Sequence, residues 1–213
     1  LLHEAGTGTA VDYNRCGVPL IEIVTEPDLR SADEAKAFLE TLKSIIQYTG
    51  VSDCKMQEGS LRCDVNVSVR EVGSTVLGTR TEMKNLNSFS AVHGAIEAES
   101  ARQIALITDG GKVTQETRRF DDIKGKSYAM RGKEEAHDYR YFPDPDLVPI
   151  TITDEQIALY RDSLPELPTA KKQRFIDELG LPEYDADLLT GERAIADFFE
   201  ASIAAYNEPK KTS

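Results

Sequence analysis

Residues 58–70 read EGSLRCDVNVSVR, and the reading of this stretch decides the fold. From Arg62 onward it alternates strictly, with Cys63, Val65, Val67 and Val69 set against Arg62, Asp64, Asn66, Ser68 and Arg70. That is the period-two pattern of a half-buried strand, apolar on one face. The other face carries guanidinium, carboxylate, amide and hydroxyl groups on consecutive outward positions, which suits either a solvated strand surface or a binding site.

A second segment, LGTRTEMKN over 77–85, places Arg80, Glu82 and Lys84 on one side and Leu77, Thr79, Thr81 and Met83 on the other. Glu71 to Val76 contains Gly73 and Ser74 and has a suitable length to join the two segments as an antiparallel hairpin. Their polar faces then coincide. Asp64 and Glu82 are expected to be neighbours, ringed by Arg62, Arg80, Lys84 and Asn66. Two adjacent carboxylates repel unless a cation holds them, and hard oxygen ligands of this kind suit magnesium carrying nucleotide phosphates. The surrounding cations would balance the phosphate charge.

Outward from this hairpin, Val18 to Val24 reads VPLIEIV and predicts a buried strand, with Glu22 standing at the parity of Leu20 and Val24. A carboxylate there is either at a wet edge or held by a salt bridge or metal. Ser31 to Glu34 forms a capping box, and Ala35, Phe38, Leu39, Leu42, Ile45 and Ile46 follow at helical spacing until Gly50. A second helix is predicted from Ser88 or Ser90 to Thr108, with Val92, Ile96, Ile104 and Ile107 buried. Lys112 to Phe120 reads as a further strand, and Asp121 to Gly125 as a turn. The order is that of an α+β fold built on an antiparallel sheet with flanking helices.

Met130 to Leu147 is too rich in aromatics and prolines for a regular element. His137 to Phe142 is either a stiff crossover that plugs the core or a wall where Arg140 and its tyrosines meet phosphate or a stacked base. From Thr153 the texture changes to short helices, with Asp154 and Thr169 as expected N-caps and Gly180 as a stop. Residues 194–206 place Ile195, Phe198, Phe199 and Ile203 on one helical face. Two units are expected, 1–152 and 153–213.

The 213 residues are 40% apolar and have a formal charge of −12. That balance argues against a generally basic nucleic-acid surface. Between Glu58 and Arg140, however, 13 Lys plus Arg meet 13 Asp plus Glu, so a locally positive cavity is compatible with the composition. Three cysteines without metal-ligand spacing suggest small buried thiols in a reducing, cytoplasmic compartment. No apolar run approaches the length of a membrane span.

Five segments carry a resemblance: VDYNRCGVPLIEIVTEPDLRS (11–31), EGSLRCDVNVSVR (58–70), EMKNLNSF (82–89), QETRRFD (115–121) and EEAHDYRYFPDPDL (134–147). In this order and spacing the chain resembles the B-subunit family of the tRNA-dependent amidotransferases, which make Gln-tRNA or Asn-tRNA from misacylated precursors. Cys16 departs from the small residue expected there. The resemblance implies a catalytic domain like that of glutamine synthetase, followed by a helical domain and a tRNA-binding tail. It implies ATP and Mg2+ as cofactors, phosphorylation of the glutamyl or aspartyl side chain on tRNA, and ammonia from a partner amidase subunit (A), with a small subunit (C) completing the complex.

Carried over by motif, Glu22, Asp64 and Glu82 are metal candidates, and Asp64, Glu82 and Arg62 are catalytic ones. Arg80, Lys84, Asn66 and Arg140 would bind the nucleotide. Family members are expected to begin well upstream with further metal-holding residues and to extend past the helical domain, so a fragment inactive by itself is implied. A small-molecule ligase of the glutamine-synthetase type and a non-catalytic scaffold docking the amidase remain as alternatives.

Overall fold

Ser31 caps the first long helix, α1 (Ala32–Thr49), by accepting the Glu34 amide N–H at 3.0 Å. The Glu34 carboxylate reaches one residue beyond the usual capping box, to the Arg30 amide. Gly50 ends the helix in the left-handed region at φ 75°. The computed structural model describes residues 2–5, 8–14, 16–130 and 145–206.

Before α1, β1 (Leu2–Ala5) and β2 (Gly8–Val11) form a separate antiparallel pair. The central sheet has four strands in the order β3 (Val65–Val67), β4 (Thr81–Lys84), β5 (Thr117–Asp121) and β6 (Lys126–Ala129). The predicted hairpin is present, with Val65 opposite Met83, Asn66 opposite Glu82 and Val67 opposite Thr81. Its paired part is much shorter than the alternating segments, because Leu77 is exposed and residues 68–80 make the connection.

The sheet is mixed rather than antiparallel. Helix α2 (Phe89–Thr108) lies between β4 and β5 and returns the chain in the same direction, so those two strands pair parallel. Within 112–120 only the end joins the sheet, and β6 follows the predicted turn as an additional antiparallel strand.

Helices α1 and α2 pack together. Leu39 of α1, Val67 and Met83 of the sheet, Leu86, and Ala91, Val92 and Ala95 of α2 form one buried core. The inward stripe of α2 turns polar after Ala95: Glu99 and Gln103 are fully buried, while Ile104 and Ile107 are exposed, contrary to their apolar character. The reason is the sheet's underside, which presents Thr81, Arg118 and Ser127 and so rewards hydrogen-bonding partners over aliphatic ones.

Val18 to Val24 is not a strand. It has no regular structure, and Leu20, Ile21 and Val24 are 90%, 73% and 80% exposed. β-branched residues favour a strand only against a neighbouring strand and a covered face, and among the described residues neither meets this run. The free cysteines are not uniformly buried either: Cys54 is, Cys63 partly, and Cys16 is exposed.

Beyond residue 145 come α3 (Asp154–Asp162), α4 (Pro168–Leu179), α5 (Glu183–Thr190) and α6 (Arg193–Tyr206). The N-cap of α3 is Thr153, in a full capping box with Gln156, and α4 starts on Pro168 after Leu167, one or two residues from the expected caps. Phe175, Leu181, Ala186 and Phe199 make a second apolar core, with the two phenylalanine rings 5.3 Å apart. The buried face of α6 is centred on Ala196 and Phe199, leaving Phe198 exposed. Tyr48 of α1 joins the two cores: its hydroxyl donates to the Thr190 carbonyl at 2.7 Å, and Arg193 donates to its carbonyl at 2.7 Å. Among the described residues no helix is long and apolar enough to cross a membrane.

Candidate active site

The period of two that buries Val67, Thr81 and Met83 sends Asp64, Asn66, Glu82 and Lys84 to the opposite, open face of the sheet. There the Lys84 ammonium lies 3.2 Å from Asp64 Oδ2 and 3.1 Å from Glu82 Oε1. One cation therefore bridges two carboxylates from neighbouring strands, answering their mutual repulsion with a side chain of the same hairpin. Glu82 also accepts the Thr117 hydroxyl at 2.9 Å through its other oxygen, across the parallel β4–β5 pairing.

The electrostatics follow from these contacts. Partial burial would raise the Glu82 carboxyl, but hydrogen bonds from Lys84 and Thr117 and the charges of Lys84 and Arg80 bring it below its usual value. Lys84 is held above the ordinary lysine value, first by its bond to Glu82 and then by Asp64. It stays cationic at neutral pH.

The other expected site residues divide. Asn66 sits opposite Glu82 in register and is exposed. Arg80 is exposed just before β4 and acts on Glu82 through its charge. Arg62 precedes β3, and its exposed side chain has no hydrogen-bonding or ionic partner among the described residues. Glu22 lies in the exposed 18–24 run and is not gathered to the pair: among the described residues no group of three His, Cys, Asp or Glu side chains converges as a metal site. Asp64 and Glu82 alone still suit a magnesium ion that brings most of its ligands as nucleotide phosphates and water. Arg140 and the His137 to Phe142 segment lie outside the described residues.

Sequence reasoning overlooked the contribution of β5 and β6. Thr117 pairs with Glu82 and Arg119 with Lys84 in register, and the Arg119 guanidinium stands 5.6 Å over the ring of Tyr128 on β6. The open face thus continues from Asn66 through Glu82 and Lys84 to Arg119 and Tyr128. The signal was present in QETRRFD, where period two puts Thr117 and Arg119 on one side and Arg118 and Phe120 on the other.

Beneath this face is a buried polar layer. Glu99 accepts from Thr81 at 2.8 Å, Gln103 at 3.0 Å, Ser127 at 2.9 Å and Arg102 at 2.6 Å and 2.9 Å, with Arg118 Nε 3.3 Å away. Gln103 further donates to the Val67 carbonyl at 3.1 Å. Burial pushes the Glu99 carboxyl up, but the bonds from Arg102, Gln103, Thr81 and Ser127 outweigh it and bring it down to about 2. This one carboxylate ties α2 directly to β4, β5 and β6 and, through Gln103, to β3.

Residues 1–158 match the family model of the GatB/GatE catalytic domain. The chain is 61% identical, over all 213 of its residues and 45% of the relative's length, to the B subunit of the aspartyl/glutamyl-tRNA(Asn/Gln) amidotransferase of Thermoanaerobacter sp. (strain X514). With the protein of that name from Caldicellulosiruptor bescii it shares 65% identity over 204 residues, 95% of this chain and 42% of the relative. For Lachnoclostridium phytofermentans the figures are 61% over 205 residues, 96% of this chain and 43% of the relative. The chain spans less than half the length of these relatives.

Proposed function

Because the chain belongs to the GatB/GatE catalytic-domain family, we propose that its open sheet face is the phosphoryl-transfer centre of a tRNA-dependent amidotransferase. In this reading the γ-phosphoryl group of ATP passes to the side-chain carboxylate of a glutamyl or aspartyl residue esterified to tRNA, releasing ADP. Ammonia from a partner amidase subunit then attacks the acyl carbon, inorganic phosphate leaves, and Gln-tRNA or Asn-tRNA results. The observation that carries the proposal is Lys84 held between Asp64 and Glu82 on an accessible face that continues to Arg119.

Phosphoryl transfer asks mainly for positioning and for cations aimed at the charge on the transferring group. Lys84 and Arg119 would supply cations from paired positions of β4 and β5, and Arg80 from the residue before β4. Asp64 and Glu82 would hold a magnesium ion delivered with the nucleotide, whose chemistry is to neutralise and orient phosphate oxygens. With phosphates drawing Lys84 to themselves, both carboxylates become free to take that role. Thr117 fixes the orientation of Glu82.

The wider reading is a glutamine-synthetase-like domain over 1–152, joined to the beginning of a helical domain at 153–213. It acts in the cytoplasm in one complex with the amidase and a small third subunit. The relatives' name, which couples an amidotransferase to Asn and Gln tRNAs, supports the substrate class. The test is ATP- and tRNA-dependent transamidation by the full-length complex carrying Asp64→Asn or Glu82→Gln. Amidation should be abolished, with glutamine hydrolysis by the partner still measurable; near wild-type amidation would refute the assignment.

A further inference from the structure

Tyr128 stands at the margin of the open face. The strand order makes β6 an edge of the sheet, and the pairing register sets Lys84, Arg119 and Tyr128 side by side across β4, β5 and β6. Period two sends Tyr128 to the open side, because its neighbour Ser127 donates to the buried Glu99 on the underside. Neighbouring strands lie about 4.8 Å apart, so Tyr128 is two strand spacings, about 10 Å, from Lys84 along one row.

The ring belongs to neither apolar core and is 36% exposed. Two cations stand over it, the Arg119 guanidinium 5.6 Å and the Lys124 ammonium 5.9 Å from its centroid. Lys124 also lies 3.9 Å from the Asp121 carboxylate, whereas Arg119 has no anionic partner among the described residues. An aromatic face beside an unpaired guanidinium offers what a nucleotide needs, a π surface for the base and positive charge for its phosphates. A cation over an exposed ring is only weakly held. Phosphate offers Arg119 a stronger, charge-assisted partner, and a base can then take the ring.

We propose that Tyr128 is the platform on which the adenine base of ATP stacks, with the phosphates running from Arg119 towards Lys84. This rests on the phosphoryl-transfer reading of the open face and deepens it. It gives that face a direction: the base lies at β6, and the group to be transferred lies at β4 between Lys84 and the carboxylates. Tyr128 thereby becomes a nucleotide-binding residue recognised by its ring, not by its hydroxyl.

The test is a titration of the full-length protein with three probes: ATP with magnesium, tripolyphosphate, and the trinucleotide CCA, which carries the adenine found at the 3′ end of tRNA. The adenine H2 and H8 resonances of ATP should move upfield on binding to the parent and to Tyr128→Phe, since an aromatic ring shields a base stacked on it. With Tyr128→Leu, an exchange of one exposed side chain on an edge strand, that movement should vanish. The same variant should weaken ATP at least about fivefold and leave tripolyphosphate, which has no base, unchanged. ATP affinity indifferent to Tyr128→Leu would overturn the proposal. Upfield movement for CCA but not for ATP would also overturn it and give the platform to the end of tRNA. Failure of the phosphoryl-transfer reading looks different: tripolyphosphate binding would then be indifferent to Lys84→Ala, and both assignments would fall.

Discussion

Thr81 donates its hydroxyl to the Glu99 carboxylate at 2.8 Å on the underside of the sheet, and the next residue along β4, Glu82, faces the opposite, open side. The buried layer and the candidate site are therefore two faces of the same strand. Whatever holds Thr81 in register also holds Glu82 opposite Asn66 and Thr117.

Glu99 should accordingly make stability strongly acid-sensitive. Its carboxyl stands at about 2 in the folded chain against an ordinary 4.5. The folded state then binds the proton less readily than the unfolded one. The stabilisation is complete above the unfolded value and is lost as pH falls from about 4.5 towards about 2. The shift corresponds to an upper limit on the order of 3 kcal/mol. Urea unfolding followed between pH 7 and 3 should show this slope, and Glu99→Gln should be both less stable at pH 7 and flatter across the window. A variant with the wild-type slope would place the acid sensitivity elsewhere.

Lys84→Ala separates stability from chemistry. The ion pairs are partly exposed, so unfolding free energy should change by less than about 1 kcal/mol. Loss of the cation that faces the phosphates should reduce ATP-dependent amidation in the full complex by roughly a hundredfold or more. Loss of stability without loss of amidation would reverse the assignment.

How much of this could be read from residues alone depended on what each face meets. The hairpin alternation is legible because β3 and β4 are covered on one side only, so period two in Val65, Val67, Thr81 and Met83 reports burial directly. Val18 to Val24 misleads because strand propensity says nothing about whether a partner edge is available. The inward face of α2 misleads for another reason: Glu99 and Gln103 continue the stripe of Val92 and Ala95 at helical spacing, but polar residues there register as surface until the underside of the sheet is known. The parallel β4–β5 pairing was readable in principle, since a 20-residue helix between two strands is a crossover.

Tyr48 should couple the two apolar cores. Tyr48→Phe leaves the Thr190 carbonyl without its donor in a buried setting, at a cost of about 1–2 kcal/mol. Hydrogen exchange should accelerate in α5 and the first turn of α6 more than in the sheet. Uniform acceleration throughout the chain would mean that the two cores unfold as one unit.

Adjacent arginines on β5 offer the sharpest test, because period two gives them opposite tasks. Arg118 is buried against Glu99 and donates to the Ser127 hydroxyl at 2.9 Å, whereas Arg119 is on the open face beside Lys84 in register and over Tyr128. Arg118→Ala leaves a buried carboxylate short of a cation and should destabilise the chain by about 3 kcal/mol or more. Arg119→Ala should leave stability nearly unchanged and weaken ATP binding by about tenfold, the contribution of one charge-assisted contact to phosphate. Thermal unfolding and nucleotide titration on both variants of the full-length protein give a two-by-two outcome. If Arg119→Ala binds ATP as tightly as the parent while remaining folded, the nucleotide phosphates lie off the β5 side of the sheet, and the site contracts to the hairpin of Asp64, Glu82 and Lys84.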